Sequence, residues 1–246
     1  MAAQTLHDEG YVVICGLSPA AYERVLEAIG DCHPRHTYDR GALELRRVLH
    51  GVAPEQYGKL LDALSEHYLR HTYDGWTLEM MTPRKDHEWI RALLGRMIEA
   101  VAFALEIPIQ SVGSTTLSAG SHQRGLQPDG AYYVGRESEV RGSDQYRPGE
   151  DPPPDLAIEV DVTSTSIPRL PVYAQIGVPE IWRYEGGKVR FYSLAAGGEY
   201  SEVHRSGAFP FLAPEDIARC LELRHKTDEN SVIRAIVDWA QDASSR

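Results

Sequence analysis

Between Pro154 and Leu194 the chain reads PDLAIEVDVTSTSIPRLPVYAQIGVPEIWRYEGGKVRFYSL, an apolar run broken by carboxylates at Asp155, Glu159 and Asp161. A strand this apolar has little use for three acids unless they hold a cation or are held by one another's partners. Strand residues two apart share a face, so Asp155, Glu159 and Asp161 all have the same parity. The chain then turns through Thr163-Ser164-Thr165-Ser166, enters a short helix bearing Arg169, and returns as a strand ending Glu180-Ile181-Trp182-Arg183-Tyr184. Acidic strand, basic helix start and second strand make a unit shaped like a site.

The rest of the chain must supply a scaffold and partners for those acids. Its 246 residues suffice for one large domain, or for one domain with an added unit. A hydrophobic share of 42% and a charged share of 25%, with no low-complexity tract, describe a globular protein. The net charge of −11 argues against a broad basic surface for duplex nucleic acid, while leaving room for a local basic groove. Cys15, Cys32 and Cys220 form no CxxC pair, which fits reduced thiols in the cytoplasm. The acidic start MAAQTLHDEG lacks the basic and apolar pattern of a signal peptide, and no apolar run approaches the ~20 residues of a membrane span.

The N-terminal part repeats itself. SPAAYERVLEAIGDCHPRHTYDRGALEL aligns with APEQYGKLLDALSEHYLRHTYDGWTLEM at an offset of 35, since Tyr57 follows Tyr22 by 57 − 22. Pro19/Pro54, Tyr22/Tyr57, Leu26/Leu61, Ala28/Ala63 and the whole RHTYD segment match. The alignment predicts a duplicated helix–strand–turn–strand unit, with residues 1–50 an accessory copy and 51–246 the main domain. Two copies are too few for a solenoid, which needs at least ~3. The first copy reads as an accretion on a sheet edge or as a dimerisation or substrate-selecting element.

Further along, Ser18-Pro19 is a helix-opening pair. Trp89, Ile90, Leu93, Leu94, Met97, Ile98 and Val101 line one side of a long helix that Asp86 can cap and that ends near Leu105. Ile109 to Ser118 alternates as a strand does, and QPDGAYYV from Gln127 to Val134 forms another, entered at Asp129. Arg136 to Pro153 reads as a surface loop, Glu199 to Arg205 as a strand, and two helices follow from Ala213. The order describes a mixed α/β (α+β) sheet domain and not a doubly wound one.

If the strands carrying Asp129 and Glu159 are neighbours, the two acids converge on one hard divalent cation, for which oxygen ligands select Mg2+ or Mn2+. Asp155 doubles as an ordinary strand entrance, and Asp161 stands beside Glu159. Arg169 is the nearest cation, ten residues past Glu159. His87 opens the long helix, where it either joins the site or packs and caps. The ten histidines contain no HExxH, so zinc is not expected, and no Walker or dinucleotide loop is present. Ser164 and Ser166 read as turn and cap residues; Trp182 and Tyr184 read as core.

QPDGAYYV, PDLAIEVDVTSTS and RLPVYAQIGVPEIWRY together resemble the Uma-two family of bacterial restriction endonucleases, in the PD-(D/E)XK nuclease superfamily. The resemblance spans roughly residues 53 to 240, taking in DGWTLEMMTP upstream and HRSGAFPFL downstream. It implies a restriction-endonuclease-like mixed sheet flanked by helices and a Mg2+-dependent endonuclease acting on DNA, with two copies pairing as a homodimer. It places the PD aspartate at Asp129 and the second acid at Glu159. The superfamily's lysine position two beyond Glu159 holds Asp161; the basic residue falls instead at Arg169, four before Tyr173. Arginine binds phosphate or transition-state charge but does not act as a base. The alternative is a catalytically inactive nuclease fold kept as a binding or assembly module.

Overall fold

The computed structural model describes residues 11–30, 36–39, 42–65, 67, 69–81, 85–119, 123–143, 146–161 and 168–245. The turn expected at Thr163–Ser166, the stop at Thr82-Pro83 and Cys32 lie outside them. The described elements are β1 (Tyr11–Cys15), α1 (Pro19–Ile29), β2 (His36–Asp39), β3 (Ala42–Arg46), β4 (Val48–His50), α2 (Pro54–Ala63), β5 (Arg70–Tyr73) and β6 (Thr77–Met81). They continue as α3 (Lys85–Ala104), β7 (Gln110–Ser111), β8 (Leu117–Ala119), β9 (Arg124–Leu126), β10 (Gly130–Tyr133), α4 (Glu137–Val140) and β11 (Leu156–Asp161). Then come α5 (Arg169–Ile176), β12 (Glu180–Glu185), β13 (Lys188–Leu194), β14 (Tyr200–Val203), α6 (Pro214–Leu223) and α7 (Glu229–Ser244). The architecture is mixed α+β, as the sequence leads one to expect.

The duplication is structural as well as textual. β1–α1–β2–β3 forms a sheet in the order β1-β3-β2, and β4–α2–β5–β6 repeats the arrangement as β4-β6-β5. Each unit therefore begins with a strand that the sequence comparison did not include. The hairpin registers coincide at the offset of 35: His36 faces Leu45 as His71 faces Met80, and Tyr38 faces Leu43 as Tyr73 faces Leu78. Side-chain detail repeats too. Tyr22 stacks on Tyr38 at 4.2 Å and Tyr57 on Tyr73 at 4.3 Å. The Tyr38 hydroxyl donates to the Leu17 carbonyl at 2.8 Å, and Tyr73 donates to Val52 at 2.6 Å. The helix starts follow capping chemistry, with Pro19 and Pro54 in the first turns and the Ser18 hydroxyl accepting from the Ala21 amide. Both copies share one core, and the Gln56 side chain donates to the Ile29 carbonyl to join the two helices.

The copies differ in what extends them. β5 gains β9 and then β8, giving the order β4-β6-β5-β9-β8. Gly125 of β9 is required there: a Cβ would lie 2.6 Å from the Tyr57 hydroxyl and 3.1 Å from the Leu117 carbonyl. β9 then leads through Gln127-Pro128-Asp129 into β10, which belongs to a second, six-stranded sheet in the order β14-β13-β12-β11-β10-β7. The strand expected from Ile109 to Ser118 is in fact two. A turn with Gly113 at φ +59° splits it into β7 on the six-stranded sheet and β8 on the five-stranded one. Alternating residues alone do not show which sheet each half joins. The expected loop from Arg136 to Pro153 also holds the short α4, with Glu137 paired to Arg141.

β11 is the central strand, antiparallel to β10 and parallel to β12. Its even residues Leu156, Ile158 and Val160 pack with α3, α6 and α7 on one face. Ala157, with Ile181 of β12, packs against Val172 and Tyr173 of α5 on the other. Period-two alternation thus sends Glu159 and Asp161 to the α5 face. Trp182 and Tyr184 are core, Trp182 stacking on Phe191 at 4.4 Å. Among the described residues no helix is long and apolar enough to cross a membrane. Tyr73→Phe removes a hydroxyl from a buried hydrogen bond and is expected to cost about 1–2 kcal/mol in urea unfolding, chiefly as the unpaired Val52 carbonyl.

Candidate active site

Asp129 and Glu159 are brought together by strand pairing. Gly130 faces Ile158 in the β10–β11 register, and Asp129 immediately precedes β10, beside the Ile158–Val160 segment that carries Glu159. The Asp129 amide donates to the Ile158 carbonyl at 3.1 Å, which carries the pairing past the strand end. Asp129 Oδ2 accepts from the Val160 amide at 2.5 Å, anchoring one oxygen to the backbone of β11. Both acids are buried, at 1% and 3% exposure.

Each acid has a guanidinium. Arg169, in the first turn of α5, lies 3.0 Å from Glu159 Oε1 and also donates to the Gln127 carbonyl at 2.6 Å. The Tyr173 hydroxyl, one helical turn on, donates to the same Oε1. Glu159 Oε2 is buried with no hydrogen-bond partner among the described residues. Burial pushes the Glu159 carboxyl above its usual range, and Asp161 adds to this, against the pull of Arg169. Asp129 is ion-paired with Arg70, a residue of β5, and its Oδ1 lies 3.1 Å from His87 Nε2 in the first turn of α3. Burial, with Arg70 beside it, depresses His87 to about 4.

The other sequence candidates separate clearly. Asp161 is on the Glu159 face but is held by Arg183 at 2.6 Å. Asp155 is not brought to this group: it accepts from the Val134 and Arg136 amides at 2.8 and 3.0 Å and pairs with the Arg136 side chain. Burial raises its carboxyl, but those hydrogen bonds outweigh burial and hold it below the usual range. His87 joins the group by touching Asp129. Three carboxylates (Asp129, Glu159, Asp161) therefore face three guanidiniums (Arg70, Arg169, Arg183). A cavity of about 440 Å³ opens on the Glu159–Asp161 part of this group, lined by Glu159, Asp161, Arg169, Tyr173 and Arg183 among others.

Sequence reasoning did not single out Arg70 or Tyr173 for the site. Arg70 stands in the repeated RHTYD segment, whose recurrence directed attention to folding. Tyr173 was visible as the residue four beyond Arg169, a helical spacing that puts both on one face.

The sequence matches the Uma2 family, described as "Putative restriction endonuclease", over residues 54–241. The chain belongs to this family. The match begins at α2, so it takes in the second copy of the repeat and leaves the first outside. One solved structure, described as a "putative nuclease" from Anabaena variabilis, is similar over 73% of this chain and 98% of that one, at 14% identity and a TM-score of 0.41. No curated protein matches the chain. The family is described as one of restriction endonucleases, and the matched range contains Asp129, Glu159 and Arg169.

Beside the site, His71 of β5 is buried and its pKa is depressed to about 4 from 6.5, first by burial and then by Arg169. A base with a depressed folded pKa contributes stability fully present above 6.5 and lost as pH falls toward 4. That interval is worth about 3 kcal/mol for one such histidine. Melting temperatures taken from pH 7 to pH 4 should fall less steeply in His71→Phe than in the wild type; parallel curves would exclude His71 as a source of the acid sensitivity.

Proposed function

We propose that the protein is an endonuclease-type phosphodiesterase acting on DNA, with Asp129 and Glu159 as ligands for Mg2+ or Mn2+ and Arg169 as the phosphate-binding group. The observation that carries this reading is the approach of buried Asp129, through its hydrogen bond to the Val160 amide, to the strand that bears buried Glu159, with an arginine from α5 against Glu159. Glu159 Oε2, buried and without a hydrogen-bond partner among the described residues, is an oxygen suited to a cation. Among those residues no group of three or more His, Cys, Asp and Glu forms a ready ligand set. Mg2+ sites often use one or two carboxylates and complete their shell with water and substrate phosphate, so two acids are adequate. When bound, the cation would neutralise phosphoryl charge and lower the pKa of a coordinated water.

The protein's own groups have separate tasks in this reading. Arg169 stays protonated and orients a phosphate oxygen; its Nε is buried with no hydrogen-bond partner among the described residues. Tyr173 fixes the rotamer of Glu159 by donating to Oε1, leaving Oε2 for the ion. Arg183 holds Asp161 at the rim of the cavity, where it adds negative potential without being buried alone. Two copies acting on opposite strands would cut a duplex.

A second reading, a nuclease fold kept as a binding or assembly module, is favoured by the ion pairs. With Arg70 on Asp129 and Arg169 on Glu159, the acids are already neutralised within the protein. Cleavage of duplex and single-stranded DNA with Mg2+ or Mn2+ decides between the two. We expect cleavage by the wild type, background activity for Glu159→Ala, and a loss of about a hundredfold or more for Arg169→Met. Equal activity in Glu159→Ala would remove the site assignment, and no cleavage by the wild type on any DNA would leave the binding module.

A further inference from the structure

We propose that Arg70 is the resident counter-ion of Asp129 and competes with a divalent cation for that carboxylate, so that neutralising Arg70 strengthens cation binding. The inference rests on the reading of Asp129 and Glu159 as cation ligands, and it concerns what limits their use.

The two acids are not equivalent. Glu159 keeps one oxygen, Oε2, without a hydrogen-bond partner among the described residues. Asp129 keeps none in reserve. Its Oδ2 is anchored by the Val160 amide at 2.5 Å. Its Oδ1, the oxygen left for an ion, faces the Arg70 guanidinium and lies 3.1 Å from His87 Nε2. A cation reaching Asp129 must therefore take the place of Arg70.

Arg70 is an unusual occupant. It is 1% exposed; one terminal nitrogen meets Asp129 Oδ1, while its Nε and other terminal nitrogen have no hydrogen-bond partner among the described residues. A guanidinium has five N–H donors, and leaving most of them unmatched in a buried setting is costly. Arg70 thus supplies Asp129 with charge but is itself poorly satisfied, in contrast to Arg169, which donates to the Gln127 carbonyl. Its backbone is fixed, since Arg70 pairs with Met81 across β5 and β6. Clearing Oδ1 means rotating the side chain alone. A fixed positive charge in ion-pair contact with a ligand carboxylate opposes a second positive charge there, and low local dielectric strengthens the opposition.

The test is Mn2+ binding by calorimetry on the full chain, beside melting curves with and without Mn2+, for the wild type, Arg70→Met, and Arg70→Met with Asp129→Asn. We expect Arg70→Met to bind Mn2+ at least about tenfold more tightly than the wild type, and to gain more melting temperature from it. Asp129→Asn in the Arg70→Met background should abolish that gain, because the carboxylate is gone while the buried charge remains balanced. If Arg70→Met alone does not fold, refolding from urea with Mn2+ replaces the binding measurement: rescue supports the proposal, and failure of millimolar Mn2+ to rescue it overturns it. Wild-type binding as tight as that of Arg70→Met overturns the counter-ion role and leaves the cation site standing. No binding by either protein overturns the cation site itself, and this proposal with it.

Discussion

Charge matching among buried groups governs this protein. Carboxylates inside a fold are tolerated only where cations or hydrogen-bond donors meet them. Glu159 lies on β11 of the six-stranded sheet and Asp129 at the entry to the neighbouring β10, and each is met by an arginine from a different part of the chain. Arg169 comes from the helix that follows β11 and Arg70 from the five-stranded sheet. The ion pairs thereby join two sheets and one crossover helix at a single point. Removing either arginine would leave a buried acid without its counter-charge, a more costly state than either pair.

The repeat explains how Arg70 comes to be there. Both copies build the same strand–helix–hairpin unit, down to the tyrosine stack and the tyrosine-to-carbonyl hydrogen bond. Among the described residues the outer edge of the hairpin is extended in the second copy alone, by β9, which runs through Gln127 and Pro128 directly to Asp129. That edge pairing brings β5 and the PD segment side by side. The first copy shares the core of the second, and the family match begins only after it.

Much of the site was legible because its signals are local. Glu159 and Asp161 could be put on one face from parity alone, and β11 does send both to the α5 side. The PD dipeptide marked Asp129 as a strand entry, and Arg169 opens its helix as read. Where the reading was too coarse, the cause lay in pairing. Ile109 to Ser118 alternates like one strand, yet its halves join different sheets, because Gly113 turns the chain between them. Asp155 has the parity of Glu159, but its oxygens are taken by amides and by Arg136, partners that lie about twenty residues upstream.

The amino-acid sequence by itself determined the mixed α+β character, the duplication, the acidic face of β11 and the membership in a nuclease-like family. Those properties reside in periodicity, spacing and motif, each read within a few turns or strands of chain. Only the tertiary structure decided which cation stands on which acid. Arg70 and Asp129 are far apart in the chain and meet because β5 accepts β9 as a neighbour, a pairing no local pattern specifies. Arg70 therefore looked like part of a repeat until the fold set it against the buried carboxylate of Asp129.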